Sequence, residues 1–183
     1  RLDTPTRLKA FQRIIDFEVG HTWLSRSKAI ERDFGISNLY LKFEGDNPTG
    51  TQKDRIAFAQ VADALEKEFT DISFATCGNY GVAVALAAQL AGLRCHIFIP
   101  ADYHTERLQE MEDLGSKIYR PSGSYEDVVT SSSKRAKTKG WYDANPGGVN
   151  TTLQLSAYAG IGRELYHELG YHPVTCAVPV SNG

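Results

Sequence analysis

No run of apolar residues approaches the length of a membrane span, and the stretch RLDTPTRLKA has no apolar core of a secretory signal. Cysteine is scarce: Cys77, Cys95 and Cys176 are odd in number and far apart. That pattern excludes a disulfide framework and fits reduced thiols in a cytoplasmic protein. A basic surplus is also missing, since 20 Lys and Arg stand against 22 Asp and Glu for a net charge of −2. A general nucleic-acid binder would carry a basic stripe. The five histidines, His21, His96, His104, His167 and His172, sit in no H-E-x-x-H and beside no C-x-x-C. They read as structural or surface residues, with no metal site expected. There is no G-x-G-x-x-G, no internal repeat and no low-complexity tract.

What the 183 residues do have is a 42% hydrophobic content, enough for one good core. Apolar runs alternate with helical periodicity. Strands are expected over 38–43, 71–76, 95–100, 117–121, 141–144 and 174–180. Helices are expected over 51–69, 79–91, 104–114, 124–139 and 152–169, with Gly115 and Gly170 as C-caps. The 79–91 segment, NYGVAVALAAQLA, is small and apolar all round, which marks a buried helix. Crossovers of this length imply an α/β fold with parallel, doubly wound sheet covered by helices.

In such folds ligands bind where strands run into helices. Three loops stand out there: GDNPTGTQK, TCGNYG and VSNG. Each offers small residues, hydrogen-bonding side chains and glycine, which lets backbone approach a ligand. The stretch FEGDNPTGTQKDR spaces Gly45 and Gly50 like a nucleotide P-loop, and Lys53 follows. Thr51 and Gln52 intervene, however, so the lysine cannot take its P-loop place directly after the second glycine. Two readings of Lys53 remain at this level. It is a surface helix lysine, or it is a partly desolvated amine that attacks a carbonyl to form a Schiff base.

The motifs LYLKFEGDNPTGTQKDR, TCGNYGVAVA and VPVSNG, in that order, resemble those of the tryptophan-synthase-like, fold type II family of pyridoxal-phosphate enzymes. The upstream GHTWLSRSKAIERDFGISNLYLKFE is similar to the family's G-x-T-P-L segment, with Trp23 where proline is common. The resemblance covers nearly the whole chain. It implies that Lys53 is the catalytic lysine that holds pyridoxal 5'-phosphate as an imine. It implies that Asn79 hydrogen-bonds the cofactor's ring oxygen, and that Ser181, Asn182 and Gly183 begin the cradle for its phosphate. Thr76, Cys77, Gly78, Asn79 and Thr51 are then expected on the substrate side. Residues 1–50 would start the larger domain, 51–150 form the smaller one and 151–183 return to the larger.

Family chains continue well past this point, so the chain is expected to be incomplete at its carboxyl end. The group that faces the pyridine nitrogen is then expected beyond Gly183. The NPTG and KDR elements, and NPGGVNTTLQLSAYAGIGREL, resemble threonine synthase more than cysteine synthase or serine/threonine dehydratases. Gln52 and LQLS depart from that pattern. Thr49, Thr51, Lys42 and Arg55 make a donor-rich set near Lys53, which favours a phosphorylated amino-acid substrate, O-phosphohomoserine. The other readings are sulfide-dependent replacement on O-acetylserine or O-phosphoserine, a dehydratase, a non-catalytic relative and a mononucleotide-binding α/β protein. A small-molecule amino-acid substrate, no nucleic acid, no membrane and a possible homodimer complete the expectations.

Overall fold

Four parallel strands form the sheet that the alternation predicts, in a computed structural model that describes residues 3–76, 78–173 and 175–179. They are β3 (Asp71–Ala75), β4 (Arg94–Phe98), β5 (Lys117–Tyr119) and β6 (Tyr142–Asp143), in the order β5-β4-β3-β6. Every residue of β3 is buried, as a central parallel strand covered on both faces requires.

Side-chain alternation along the strands divides the core in two. Ile72, Phe74, Cys95 and Ile97 face a cluster built from helices α1 (Thr4–Glu18), α3 (Lys53–Glu66), α4 (Asn79–Ala91) and α5 (Leu108–Asp113). Ala157 and Tyr158 of α7 (Thr151–Leu169) pack against the same cluster. On the other face, Ala75 and Phe98 meet Val128 of α6 (Tyr125–Lys139), with Tyr119 and Trp141 around them. The chain leaves β3 through α4 on one face and returns through α6 on the other to lie beside β3. That is a doubly wound arrangement, and it puts a switch point at the carboxyl end of β3.

The expected helices are present, with ends moved by no more than four residues. Helix α3 begins at Lys53 rather than Thr51, so Lys53 opens the helix instead of lying inside it. Helix α5 begins only at Leu108. Helix α4 matches its expected bounds and is almost wholly buried. Helix α6 starts with a capping box between Ser124 and Asp127.

The strand expected over 38–43 is shorter and differently paired. It is β2 (Tyr40–Lys42), antiparallel to β1 (Leu24–Arg26) and separate from the parallel sheet. The first 37 residues also hold α1 and α2 (Lys28–Phe34), which periodicity had left unassigned. Asp3 caps α1 by accepting from the Thr6 amide at 2.9 Å, Pro5 sits in its first turn, and Phe11 stacks on Phe58 of α3. The strand expected over 174–180 is not formed at 175–179, where the backbone is irregular and exposed. A strand needs a neighbour to satisfy its amides, and no described segment pairs with this one. Val174 and Val180 lie outside the described residues.

Helix α4 approaches its neighbours closely because it carries little bulk. A Cβ on Gly81 would lie 2.6 Å from Cε of Met111 and 2.7 Å from the Thr76 methyl. Met111 can yield, but Thr76 is buried directly after β3 with its amide bonded to the Phe98 carbonyl, and yields less readily. Gly81→Ala would gain about 1 kcal/mol in helix propensity, and overpacking costs roughly 1–3 kcal/mol. Net destabilisation is expected in urea titration; an unchanged or raised midpoint would show that the helix has room to spare.

Candidate active site

Helix α3 runs back from its amino end towards the turn that feeds β3, so Lys53 lies at the same end of the sheet as the loop that leaves β3. The loop before Lys53 is shaped by its own polar groups. Gly50 takes a positive φ of +83° in the turn, a conformation that glycine adopts without strain. Asp54 is fully buried and accepts from the Thr49 amide at 3.0 Å and from the Thr49 hydroxyl at 2.9 Å. Burial raises the Asp54 pKa although the bonds from Thr49 pull the other way. Asn47 is buried too; its oxygen accepts from the Gly20 amide and its nitrogen donates to the Glu44 carbonyl.

Lys53 is half-buried, and burial lowers its pKa. Its amine forms no ion pair among the described residues and lies 5.8 Å from the ring centre of Tyr158 on α7. The Tyr158 hydroxyl is buried without a hydrogen-bond partner among the described residues, and burial together with Glu44 pushes its pKa up to about 12. Tyr158 therefore stays neutral and offers Lys53 an aromatic face rather than a negative charge. Thr51, expected on the substrate side, accepts from the Lys53 amide at 3.2 Å.

The second loop brings Thr76, Gly78 and Asn79 to the switch point. Thr76 is buried, with its amide bonded to the Phe98 carbonyl. Gly78 accepts from the Gly81 amide. Asn79 opens α4, and its side chain is exposed. Cys77, Ser181, Asn182 and Gly183 lie outside the described residues.

Two expected donors are spent elsewhere, which corrects the donor-rich set drawn from sequence. Lys42 is paired with Glu164 at 2.9 Å and Glu168 at 2.8 Å. Arg55 is doubly bonded to both Glu44 and Glu164 in a structural ion-pair cluster. The Thr49 hydroxyl is likewise given to Asp54. The reason is one that spacing cannot reveal: the neutralising carboxylates come from a turn at Glu44–Asp46 and from α7, more than 100 positions away.

Sequence reasoning missed Arg107. Its guanidinium donates to the Asn79 oxygen at 2.9 Å and to the Thr49 carbonyl at 3.3 Å, and is clamped by Glu110. It thereby joins the two loops. The R-x-x-E spacing of Arg107 and Glu110 was visible as a helical pair, but the reach to Asn79 was not. A cleft of about 380 Å³ lies beside it, lined by Thr49, Gly50, Val82 and Arg107 among others.

These residues fit an aldehyde-bearing cofactor. A partly desolvated amine without an ion pair among the described residues suits a carbonyl, and Asn79, whose oxygen is taken by Arg107, keeps its N–H donors for an acceptor. A parallel doubly wound sheet with a loop at its switch point, and a lysine amine without an ion pair among the described residues at the start of α3, agree with the pyridoxal-phosphate-binding class of doubly wound folds. Residues 15–183 match the family described as "Pyridoxal-phosphate dependent enzyme", and the chain belongs to that family. Threonine synthase from Methanocaldococcus jannaschii is 29% identical over 177 residues, 96% of this chain and 43% of the relative. Threonine synthase from Halalkalibacterium halodurans is 30% identical over 89% of this chain and 45% of the relative. Cysteine synthase B from Escherichia coli is 34% identical, over 55% of this chain and 34% of the relative. The fold is similar to that of a pyridoxal 5'-phosphate-dependent aspartate racemase, with a TM-score of 0.74 and 23% identity, covering 91% of this chain and 51% of that one. The chain spans less than half the length of the threonine synthases it matches.

The lowered pKa of Lys53 has a direct consequence. Only the neutral amine is a nucleophile, so a lower pKa makes Lys53 reactive at lower pH than an ordinary lysine. Reductive methylation read residue by residue in a mass spectrometer should give a midpoint for Lys53 below 10.5. A midpoint at or above that value would contradict the partly buried amine.

Glu164 gives a second test. Burial raises its pKa, but the bonds from Arg55 and Lys42 outweigh this and hold it at about 2, against 4.5 for a free glutamate. A depressed carboxylate pKa gives stability that is present above pH 4.5 and lost as the pH falls towards 2. Glu164→Gln should lower stability at neutral pH and flatten its decline across that acid window. Parallel curves for the two proteins in urea at each pH would remove Glu164 from the account.

Proposed function

We propose that this chain carries the lysine-bearing part of a pyridoxal-phosphate-dependent lyase that converts O-phosphohomoserine and water to threonine and phosphate. The observation that carries the cofactor chemistry is the half-buried amine of Lys53 at the start of α3, without an ion pair among the described residues. For the substrate, the support is coverage: threonine synthases match 96% and 89% of this chain. Cysteine synthase B matches 55% of it.

When bound, the cofactor supplies an electron sink for bonds at the substrate's α-carbon. Lys53 would hold the cofactor through its carbonyl carbon, and its neutral amine, once freed, would take and return a proton at the substrate's α-carbon. Asn79 donates to the ring oxygen. Thr76, Cys77 and Gly78 are assigned to the substrate carboxylate, with Thr51 beside them. Ser181, Asn182 and Gly183 begin the phosphate cradle, an assignment that rests on the VPVSNG motif. We take 51–150 as the smaller domain of the enzyme, and 1–50 and 151–183 as parts of the larger.

A second reading has its own support in the 34% identity to cysteine synthase B. It is sulfide-dependent replacement on O-acetylserine or O-phosphoserine.

The natural full-length protein tests both. Borohydride reduction should leave a pyridoxyl mass on the Lys53 peptide, and Lys53→Ala should abolish it. An adduct on Lys42 instead, or on no lysine, would remove the basis of the cofactor reading. Given O-phosphohomoserine, the protein should release phosphate and form threonine. Cysteine formation from sulfide without any phosphate release would replace the threonine synthase reading with the second one.

A further inference from the structure

Asn79 ends in an amide with one acceptor and two donors, and the two ends look alike in shape. Which end faces a ligand decides whether the residue can stabilise an anionic oxygen or only accept from a donor. The neighbour of Asn79 removes that ambiguity. Arg107 has only N–H groups to offer, and its Nη1 lies 2.9 Å from the Asn79 oxygen. Turned round, the amide would set N–H against N–H. The guanidinium therefore takes the oxygen and leaves the Nδ2 donors facing away from it. Among the described residues Nδ2 has no partner.

The guanidinium is itself held in place. Glu110 accepts from Nε at 2.9 Å and from Nη2 at 2.7 Å, a two-point contact that fixes the plane of the group. Nη2 also reaches the Thr49 carbonyl at 3.3 Å. Arg107 thus spans from the loop before Lys53 to the first residue of α4. It precedes α5, whose Met111 packs against Gly81 one half-turn beyond Asn79.

We infer that Arg107 is a positioning residue: it fixes the Asn79 side chain as a hydrogen-bond donor towards the bound cofactor and ties that donor to the Lys53 loop. The inference rests on the cofactor reading for what sits in front of the amide. The fixed orientation of the amide does not depend on it.

Two measurements on the full chain separate these parts. The first uses no cofactor. In 15N-labelled protein, the Asn79 side-chain amide, assigned by its disappearance in Asn79→Ala, should show the heteronuclear NOE of a rigid group. In Arg107→Met it should show that of a mobile one, and Arg107→Lys, which retains a donor, should recover part of the order. An amide equally ordered with and without Arg107 would overturn the inference.

The second is titration with pyridoxal phosphate, followed by absorbance. Loss of a hydrogen bond to a charged group predicts about tenfold weaker binding in Arg107→Met. Asn79→Ala should weaken binding similarly, and the double variant no further than Asn79→Ala alone. Losses that multiply would mean that the two residues act separately, and would overturn the link between them. Glu110→Gln provides a check should Arg107→Met fail to fold. It frees the guanidinium plane and should weaken binding several-fold, and wild-type affinity in Glu110→Gln would count against the clamp. A wild-type protein that takes up no pyridoxal phosphate and gains no pyridoxyl mass overturns the cofactor reading, while the NOE still decides the orientation of Asn79.

Discussion

Arg55 sits two positions after Lys53 and is nearly inaccessible to solvent. Its guanidinium bridges Glu44 and Glu164 with two bonds to each, and Lys42 closes the group from the far side of Glu164. Such a cluster is costly to desolvate, and its worth lies less in net stability than in what it forbids. Removing Arg55 would leave Glu44 without its cation and Glu164 with Lys42 alone, so the three segments it joins are held in one relation to each other. Those segments are α3, the turn after β2, and α7. Lys53 heads the first of them and Tyr158 sits on the last, so the place of the amine is set by charges that never touch a ligand.

The same cluster explains a limit of the sequence. The periodicity of 79–91 announced a buried helix, and α4 is one, because helix burial follows from composition within a single segment. The expected strand over 174–180 failed for the opposite reason. Strand formation depends on a partner, and no local pattern reveals whether one is present. Lys53 was legible through its motif. Arg55 and Lys42 were not, because their shared carboxylate partner Glu164 lies on α7. Read in isolation they looked like donors for a ligand, whereas in the fold they are answered internally. Asp54 follows Lys53 directly, yet its task of pinning Thr49 becomes visible only once the chain turns back at Gly50. Helix α1 could have been found from Asp3, Pro5 and the spacing of Leu8, Phe11 and Ile15.

Proteins of several kinds share this frame. Threonine synthases, cysteine synthases and an aspartate racemase resemble the chain in sequence or fold. The shared part is the fold built on the parallel sheet. Contacts to a substrate fall on the loops that leave such a sheet. A fold can carry many chemistries because those contacts are carried on loops and can change without disturbing the sheet.

The loop from Asn47 to Gln52 is already answered by the protein itself. Asn47, Thr49 and Gly50 are bonded to Gly20, Glu44, Asp54 and each other. Fixing one backbone residue on binding costs roughly 1–2 kcal/mol of conformational entropy, and here that cost was met when the chain folded. A small molecule arriving at this loop meets a finished surface. Its affinity then reflects how well it fits that surface, and its rate of capture is governed by access to the cleft rather than by a search among loop conformations.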